Sequence, residues 1–423
     1  MFGNLTKIYY EYSPKYWTLV LASFIDRLGG ALIFPFFALY VTERFDVGMV
    51  EVGKLFAIFA ISGMAGSVLG GALTDKFGRR TILLFGLVFS ALGSVLMGLV
   101  DRLSLFFILA AVVGVLGDIA GPAHQAMVAD LVPAEEKRAE AYGVLRVAAN
   151  LAVAIGPAIG GLLATRWSYL LLFILDAITS LAMAVIVVFS LPETKPEPVV
   201  GQEKESLLKT FSGYYRVTKD AVFMAFMLAS ILMVMVYTQM NSTLSVFLRD
   251  VHGVSASGFG YILSLNAGMV VLFQFWVTRK IGKKPPMLVM AVGTGFYLVG
   301  FLMYGFVSQY VLFLLAMVII TIGEMLVVPV SNSVVANLAP AAMRGRYMAV
   351  SGFSYIIPFA IGPLAAGYIM DQYDPNWVWY GCGILAAVAV LAFVALHGWL
   401  TKRERNKREA KNALLANSAC AQK

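Results

Sequence analysis

Six ionisable side chains stand inside stretches of this sequence that are otherwise apolar: Asp26, Arg27, Asp118, Arg146, Asp176 and Glu324. Holding a charge in hydrocarbon costs free energy, so a chain that keeps one there is expected to use it on a proton, an ion or a charged solute. Apolar surroundings favour the neutral acid and a neighbouring cation favours the carboxylate, so an acid exposed to both can load and release a proton. Asp118 shares a helical face with Gly121, Pro122 and Gln125, and Glu324 with Ser331. At 1.5 Å per residue, Arg146 lies about 14 Å from the start of its helix, and Asp118 about 18 Å from the end of its own at the same membrane surface. An Asp118–Arg146 contact is therefore expected, either as a proton site or as a static ion pair. Asp176 is read as a structural acid bonded to a neighbouring span.

Two further patterns concern movement and packing. In Gly71-Ala-Leu-Thr-Asp75-Lys76-Phe-Gly78-Arg79-Arg80, an acid, a glycine turn and three cations crowd a connection between two apolar runs, which places this loop at a membrane surface. Asp75 there is positioned to dock on the positive end of another helix, an interaction of about 0.3 to 1 kcal/mol. In Ala152-x-x-x-Gly156-Pro157-x-x-Gly160-Gly161 the small residues permit close helix approach, and Pro157 removes a backbone hydrogen bond. Tyr237, Gln239, Asn241 and Ser242 interrupt a Met-rich apolar run, a surface that could adapt to varied apolar ligands. The three histidines form no motif, and the sequence carries no Gly-x-x-x-x-Gly-Lys-Ser/Thr, His-Glu-x-x-His or Gly-x-Ser-x-Gly, which argues against a pump or a membrane enzyme. Neither a cofactor nor a metal is expected.

The elements that must position these residues are membrane helices. With 423 residues, 60% hydrophobic and 13% charged, the chain is too apolar for a soluble globule of this size. A spanning helix needs about 20 apolar residues, and such segments fall at 16–41, 51–73, 81–100, 104–128, 141–164, 168–191, 220–247, 257–277, 286–306, 309–335, 347–370 and 377–399. The first follows Lys7, Glu11 and Lys15 without a cleavage site, so it is expected to be retained. With both termini inside, only Arg44, Lys54, Arg102, Arg166 and Arg249 among the 32 Lys and Arg fall outside, so the net charge of +8 reflects topology and not nucleic-acid binding. Cys382 and Cys420 lie too far apart in kind, one in a span and one in the tail, for a structural disulfide.

The chain also repeats. Gly117-Asp118 recurs as Gly323-Glu324, Ala154-Ile-Gly156-Pro157 as Ala360-Ile-Gly362-Pro363, and Val128-Ala-Asp-Leu-Val-Pro133 as Val335-Ala-Asn-Leu-Ala-Pro340. Thr278-Arg279-Lys280-Ile-Gly282-Lys283-Lys284 echoes Thr74 to Arg80 with the acid replaced by Arg279. The expected organisation is all-α: a six-helix half over 1–192, a central cytoplasmic loop over 193–219 that includes a short surface helix, a second six-helix half over 220–400 and a basic tail over 401–423.

The loop from Gly71 to Arg80 resembles the signature between helices two and three of the major facilitator superfamily. The helix-five pattern is similar to the motif of its drug/proton antiporters, with Ala152 in place of the first glycine. The resemblance implies two parallel-repeat halves with a site near mid-membrane, lined by helices one, four, seven and ten. It thus favours Asp118, Glu324 and Asp26 for proton coupling, which Arg146 joins by its depth beside Asp118, and the expected substrate cavity is formed by Arg27, Gln125, Tyr237, Gln239, Asn241 and Ser331. Gly71, Asp75, Lys76, Gly78, Arg79 and Arg80 would switch conformation, and Gly156, Pro157, Gly160 and Gly161 would pack helices. The expected protein is a monomeric inner-membrane antiporter that exchanges protons for small amphipathic compounds. The rivals are a carrier of one metabolite, such as a sugar or organic anion, and an enzyme or receptor that has kept the fold.

Overall fold

A computed structural model describes residues 10–132, 134–194, 215–282, 284–340 and 343–421. Most of the central segment, including much of the expected surface helix, lies outside the described residues, as do Lys7 and Lys283. Twelve helices are long and apolar enough to cross a membrane: α1 Pro14–Phe45, α2 Met49–Phe77, α3 Arg79–Leu99, α4 Leu103–Leu131, α5 Glu140–Arg166, α6 Tyr169–Ser190, α7 Ala221–Ser242, α8 Ala256–Ile281, α9 Pro286–Tyr304, α10 Tyr310–Val335, α11 Arg346–Gln372 and α12 Trp377–Arg403. Helices are the natural outcome for such a composition, because a bilayer offers no partner to an unpaired backbone group. The even number of crossings puts both chain ends on one face, the terminal face.

Helix ends and breaks repeat at an offset of 207 positions. Ser13 Oγ caps α1 by accepting from Tyr16 N at 3.3 Å, and Asp220 Oδ1 caps α7 by accepting from Val222 N and Phe223 N at 3.1 Å. Helix α1 is broken by a 3-10 turn at Phe34–Phe36 and resumes as Phe37–Phe45, while α7 stops at Ser242 and the chain resumes as the short helix Leu244–His252. These two short helices end on left-handed residues at equivalent places, Asp46 with φ 49° and Gly253 with φ 64°.

Three expected boundaries are corrected. The connection Gly71 to Arg80 is not a ten-residue loop: α2 continues through Phe77, α3 starts at Arg79, and Gly78 alone breaks the helix with φ 101°. Nothing between Gly71 and Phe77 disfavours helix, and Lys76 in the last turn suits the negative helix end. Helix four is divided at Ile119 into Leu103–Asp118 and Ala120–Leu131. Pro122 has no N–H for the carbonyl four residues earlier, that of Asp118, so the break falls beside the carboxylate. The segment after 400 continues the last helix, which runs Trp377–Ala421.

The halves meet through α2 against α11 and α5 against α8, and the closest approaches lie on the face opposite the termini. A side chain at Gly53 would strike the backbone of Leu364, and one at Gly161 would lie 2.6 Å from Ala256 O. Gly156 and Gly160 instead face α1, where a Cβ would sit 2.5 Å from Ala31 Cβ and from Leu32 O respectively. The C-terminal half has a dense aromatic interior. Tyr237 stacks on Tyr297 at 5.6 Å, and the series continues through Phe301, Trp379 and Tyr304 to Phe313.

Gly156→Leu forces a four-carbon side chain into the α1–α5 contact, and overpacking of this kind costs about 1 to 3 kcal/mol. The variant is expected to have a lower melting temperature in detergent and a reduced or uncoupled transport rate in proteoliposomes; wild-type values for both would show that the contact tolerates bulk.

Candidate functional site

Two helices of the N-terminal half bring charge to one cavity. Asp26 and Arg27 from α1, Asp118 from α4 at its break, and Gln125 and His124 one to two turns further line a chamber of about 360 Å³. The adjoining chamber, about 500 Å³, shares Arg27, Phe59 and Asp118 and adds Asp176 from α6 with Phe34, Phe56 and Phe359. Ser180 Oγ donates to Asp26 Oδ1 at 2.8 Å, and Ser23 Oγ lies 2.7 Å from His124 Nε2. Leu83 and Gln125, both near the terminal-face ends of their helices, border this space, so it extends toward the terminal face.

The C-terminal half supplies one acid. Glu324 on α10 accepts from Tyr237 Oη at 3.0 Å on Oε1 and from Asn266 Nδ2 at 2.7 Å on Oε2, and Asn266 also reaches Thr321 Oγ1 at 3.0 Å. The acid borders a cavity of about 220 Å³ between the halves, together with Asn241, Phe34 and Pro157 of helix five. Phe34 lies at the 3-10 break of α1 and lines this cavity, the 500 Å³ chamber and a third one bounded by Tyr237, Asn241 and Tyr355. Its ring stacks on Phe359 of the other half with centroids 6.1 Å apart. Among the described residues no group of His, Cys, Asp and Glu is placed to hold a metal ion.

Arg27, Gln125, Tyr237 and Asn241 border these cavities, whereas three expectations fail. Arg146 is exposed and does not pair with Asp118, because α5 packs on α1 and α8 and hardly touches α4; the cation sharing Asp118's chamber is Arg27. Gln239 is buried and spent within its own helix, donating to Met235 O at 3.0 Å and accepting from Thr243 Oγ1 at 2.6 Å where α7 ends. Ser331 is buried and borders none of these cavities; Pro329 stands between it and Glu324 and interrupts the helical ladder that a shared face assumes. Asp176 is hydrogen-bonded to Ser94 of the neighbouring α3, in keeping with a structural acid, and it also lines the chamber with Arg27. Sequence reasoning missed Asn266 and His124 as parts of the site. Asn266 is the one asparagine inside a predicted span of helix eight, and an amide in hydrocarbon is itself a signal.

The chain segments around Gly78 form a separate, terminal-face cluster. Arg79 is buried; its Nε donates to Asp130 Oδ2 at 3.2 Å and its Nη1 lies 3.5 Å from Asp75 Oδ1. Asp75 is 78% exposed, and Arg79 is the ion-pair partner it has among the described residues. Glu193, at the start of the central segment, accepts from the N–H groups of Arg79 at 2.7 Å, Arg80 at 3.2 Å and Thr81 at 3.3 Å, so it caps α3. A Cβ on Gly78 would lie 2.5 Å from that carboxylate.

The sequence pattern of the Major Facilitator Superfamily matches residues 19–358 and 326–420. The chain belongs to the Major Facilitator Superfamily. It is accordingly a multi-pass membrane transporter with twelve spans and not an enzyme. It is 29% identical to the Na(+), Li(+), K(+)/H(+) antiporter of Planococcus maritimus, covering 85% of this chain and 90% of that one. It is 23% identical to the multidrug resistance protein MdtH of Escherichia coli (strain SMS-3-5 / SECEC), over 92% and 95% of the two chains. Among solved structures, the nucleoside transporter NupG superposes with a TM-score of 0.73 at 15% identity, over 91% of this chain and 99% of that one. A peptide transporter POT in complex with sulfate does so at 0.74 and 17%, over 92% and 94%. At these identities the two structures establish this facilitator's fold alone.

Burial opposes the charge on Glu193, but the donors from Arg80, Arg79, Thr81 and Thr194 prevail and hold its carboxyl below the ordinary glutamate range. A depressed carboxyl stabilises the fold above the ordinary glutamate range, and that contribution is lost as pH falls through the depressed value. Glu193→Ala should lower stability at neutral pH by about 1 kcal/mol, as loss of a cap does. In thermal melts of wild type and variant, the gap should close in acid; a gap that stays constant to acid pH would show that the carboxylate is not the source.

Proposed function

We propose that this facilitator is a proton-coupled antiporter that expels small amphipathic compounds across the bacterial inner membrane. The observation that carries this reading is a pair of repeat-related acids, Asp118 and Glu324, each bordering a cavity between or within the halves. A carboxylate oxygen that holds a proton cannot at the same time bind a cationic group, so occupancy by one excludes the other, which is the simplest form of exchange. Asp118 is the transported proton's site, Glu324 its counterpart in the second half, and Asp26 the reserve. Arg27 takes the part expected of Arg146, competing with the proton for the Asp118 carboxylate. The Phe34, Phe56, Phe59 and Phe359 rings beside these acids suit an apolar body carrying a positive charge. Similarity to a multidrug resistance protein supports the same substrate class.

A second reading, exchange of protons for monovalent cations, is favoured by similarity to the Na(+), Li(+), K(+)/H(+) antiporter and by the three carboxylates Asp26, Asp118 and Asp176 around one arginine. The excess of cations on the terminal face, including Arg279, Lys280, Lys402 and Arg403, supports a cytoplasmic location for that face. The protein works as a monomer in this reading.

In proteoliposomes under an imposed pH gradient, a panel of amphipathic cations and of Na⁺, Li⁺ and K⁺ separates the two readings, and uptake of one metabolite with no response to the panel would refute both. Asp118→Asn is expected to abolish proton-driven export while sparing binding of neutral compounds and downhill exchange. If that variant exports at the wild-type rate and Glu324→Gln does not, the proton site lies in the second half.

Asp75 serves as a latch on the terminal face: docked on the N-terminus of α11 it closes that side, and with the cavities open toward that face it is released. Asp75→Asn should fold normally yet transport several-fold more slowly; unchanged rates together with unchanged cysteine labelling from the terminal face would count against the latch.

A further inference from the structure

We propose that Asp371 and Thr165 are a repeat-related pair of gating residues that lock the face opposite the termini. Asp371 is the penultimate residue of α11. Its Oδ1 accepts from Met49 N at 2.8 Å and its Oδ2 from Val50 N at 2.8 Å, so both oxygens are taken up by the first two N–H groups of α2, in the other half. The residue at the N-cap of α2 is Gly48, which has no side chain with which to cap it. The glycine also makes room for the acid, since a Cβ there would collide with the Asp371 carboxylate. One turn before Asp371, Gly367 packs on the carbonyl of Met49, and Gly53 meets Pro363 and Leu364, so the acid sits at the end of a tight seam of backbones. A helix N-terminus presents unpaired donors and partial positive charge, and a carboxylate satisfies both.

The internal repeat produces the same contact on the other seam. Thr165, 206 positions before Asp371, lies at the end of α5, and its Oγ1 accepts from Ser257 N at 3.0 Å at the start of α8. Ser257 stands 207 positions after Val50. Each half thus caps the second helix of its partner with the end of its own fifth helix, once by a carboxylate and once by a hydroxyl. A third cross-half bond, Arg249 Nη2 to Thr42 Oγ1 at 3.0 Å, lies between the short helix Leu244–His252 and the end of α1. Separation of the halves on this face has to strip both caps, leaving the first N–H groups of α2 to water. Because a bond to an ionised acceptor is stronger than one to a hydroxyl, Asp371 carries the larger share of the bias toward the closed state.

The test uses the full chain in nanodiscs, with Cys382→Ala and Cys420→Ser, and spin labels at Arg102→Cys and Ser308→Cys, exposed positions in loops of opposite halves on this face. Asp371→Asn is expected to raise the population with widely separated labels about tenfold. Thr165→Val, which removes the hydroxyl at nearly constant volume, should shift it in the same direction but less, and Thr165→Ser should behave as wild type. Label distances identical to wild type in both Asp371→Asn and Thr165→Val, with the proteins folded by size and melting temperature, would overturn the proposal. Should the Asp371 variant not fold, Thr165→Val alone decides by the same criterion. The readout requires neither substrate nor proton gradient, so its failure is distinct from failure of the antiport reading.

Discussion

The first four N–H groups of any helix have no partner within that helix, and in a bilayer they cannot all rely on water. Much of this protein's architecture follows from how those groups are satisfied. Ser13 and Asp220 cap the helices that open each half and do so from the adjoining residue. Helices α2 and α3 have caps borrowed from elsewhere, Asp371 for α2 and Glu193 for α3, and α8 adds Thr165 to its own Ser255, whose Oγ accepts from Gly258 N at 3.2 Å. A local cap is indifferent to how the halves are arranged. Borrowed caps are not, and they stand at the central segment's departure and at the seams between halves, where the chain must choose between arrangements.

The acids obey a related constraint. A carboxylate within the membrane needs donors or solvent, and the two halves meet the need differently. Glu324 has one donor on each oxygen, from Tyr237 and Asn266, in a small space between the halves. Asp118 has an open chamber instead, shared with Arg27, and the break at Ile119 places it beside a carbonyl that Pro122 leaves without its helical donor. The repeat therefore conserves the position of the acid while the surroundings have diverged, one site enclosed and one open.

The twelve spans and their grouping were legible because a hydrocarbon slab imposes a length of about 20 residues, and the sequence is dominated by that period. The repeat offset was legible for the same reason that the αL ends at Asp46 and Gly253 coincide: corresponding turns need corresponding residues. What failed was lateral order. Asp118 and Arg146 are at similar depth on successive helices, but the small-residue face of α5 turns to α1 and α8, so sequence neighbours became distant in space. Helical-face arguments failed where the helix is interrupted, at Ser331 beyond Pro329 and at Gln239 beside the end of α7. The charge around Gly78 suggests irregular backbone, yet charge at a membrane surface is compatible with helix, and one glycine suffices for the turn.

The aromatic interior of the C-terminal half has a mechanical consequence. Among the described residues, eight of the twelve largest fully buried side chains lie in that half, from Phe223 to Trp379. Rings of this size interlock, and sliding one helix there would require several to leave their contacts together. The N-terminal half holds its charges around a hollow and has a fourth helix already divided at mid-span. The two halves are thus built differently, one around interlocked rings and the other around chambers lined by charge.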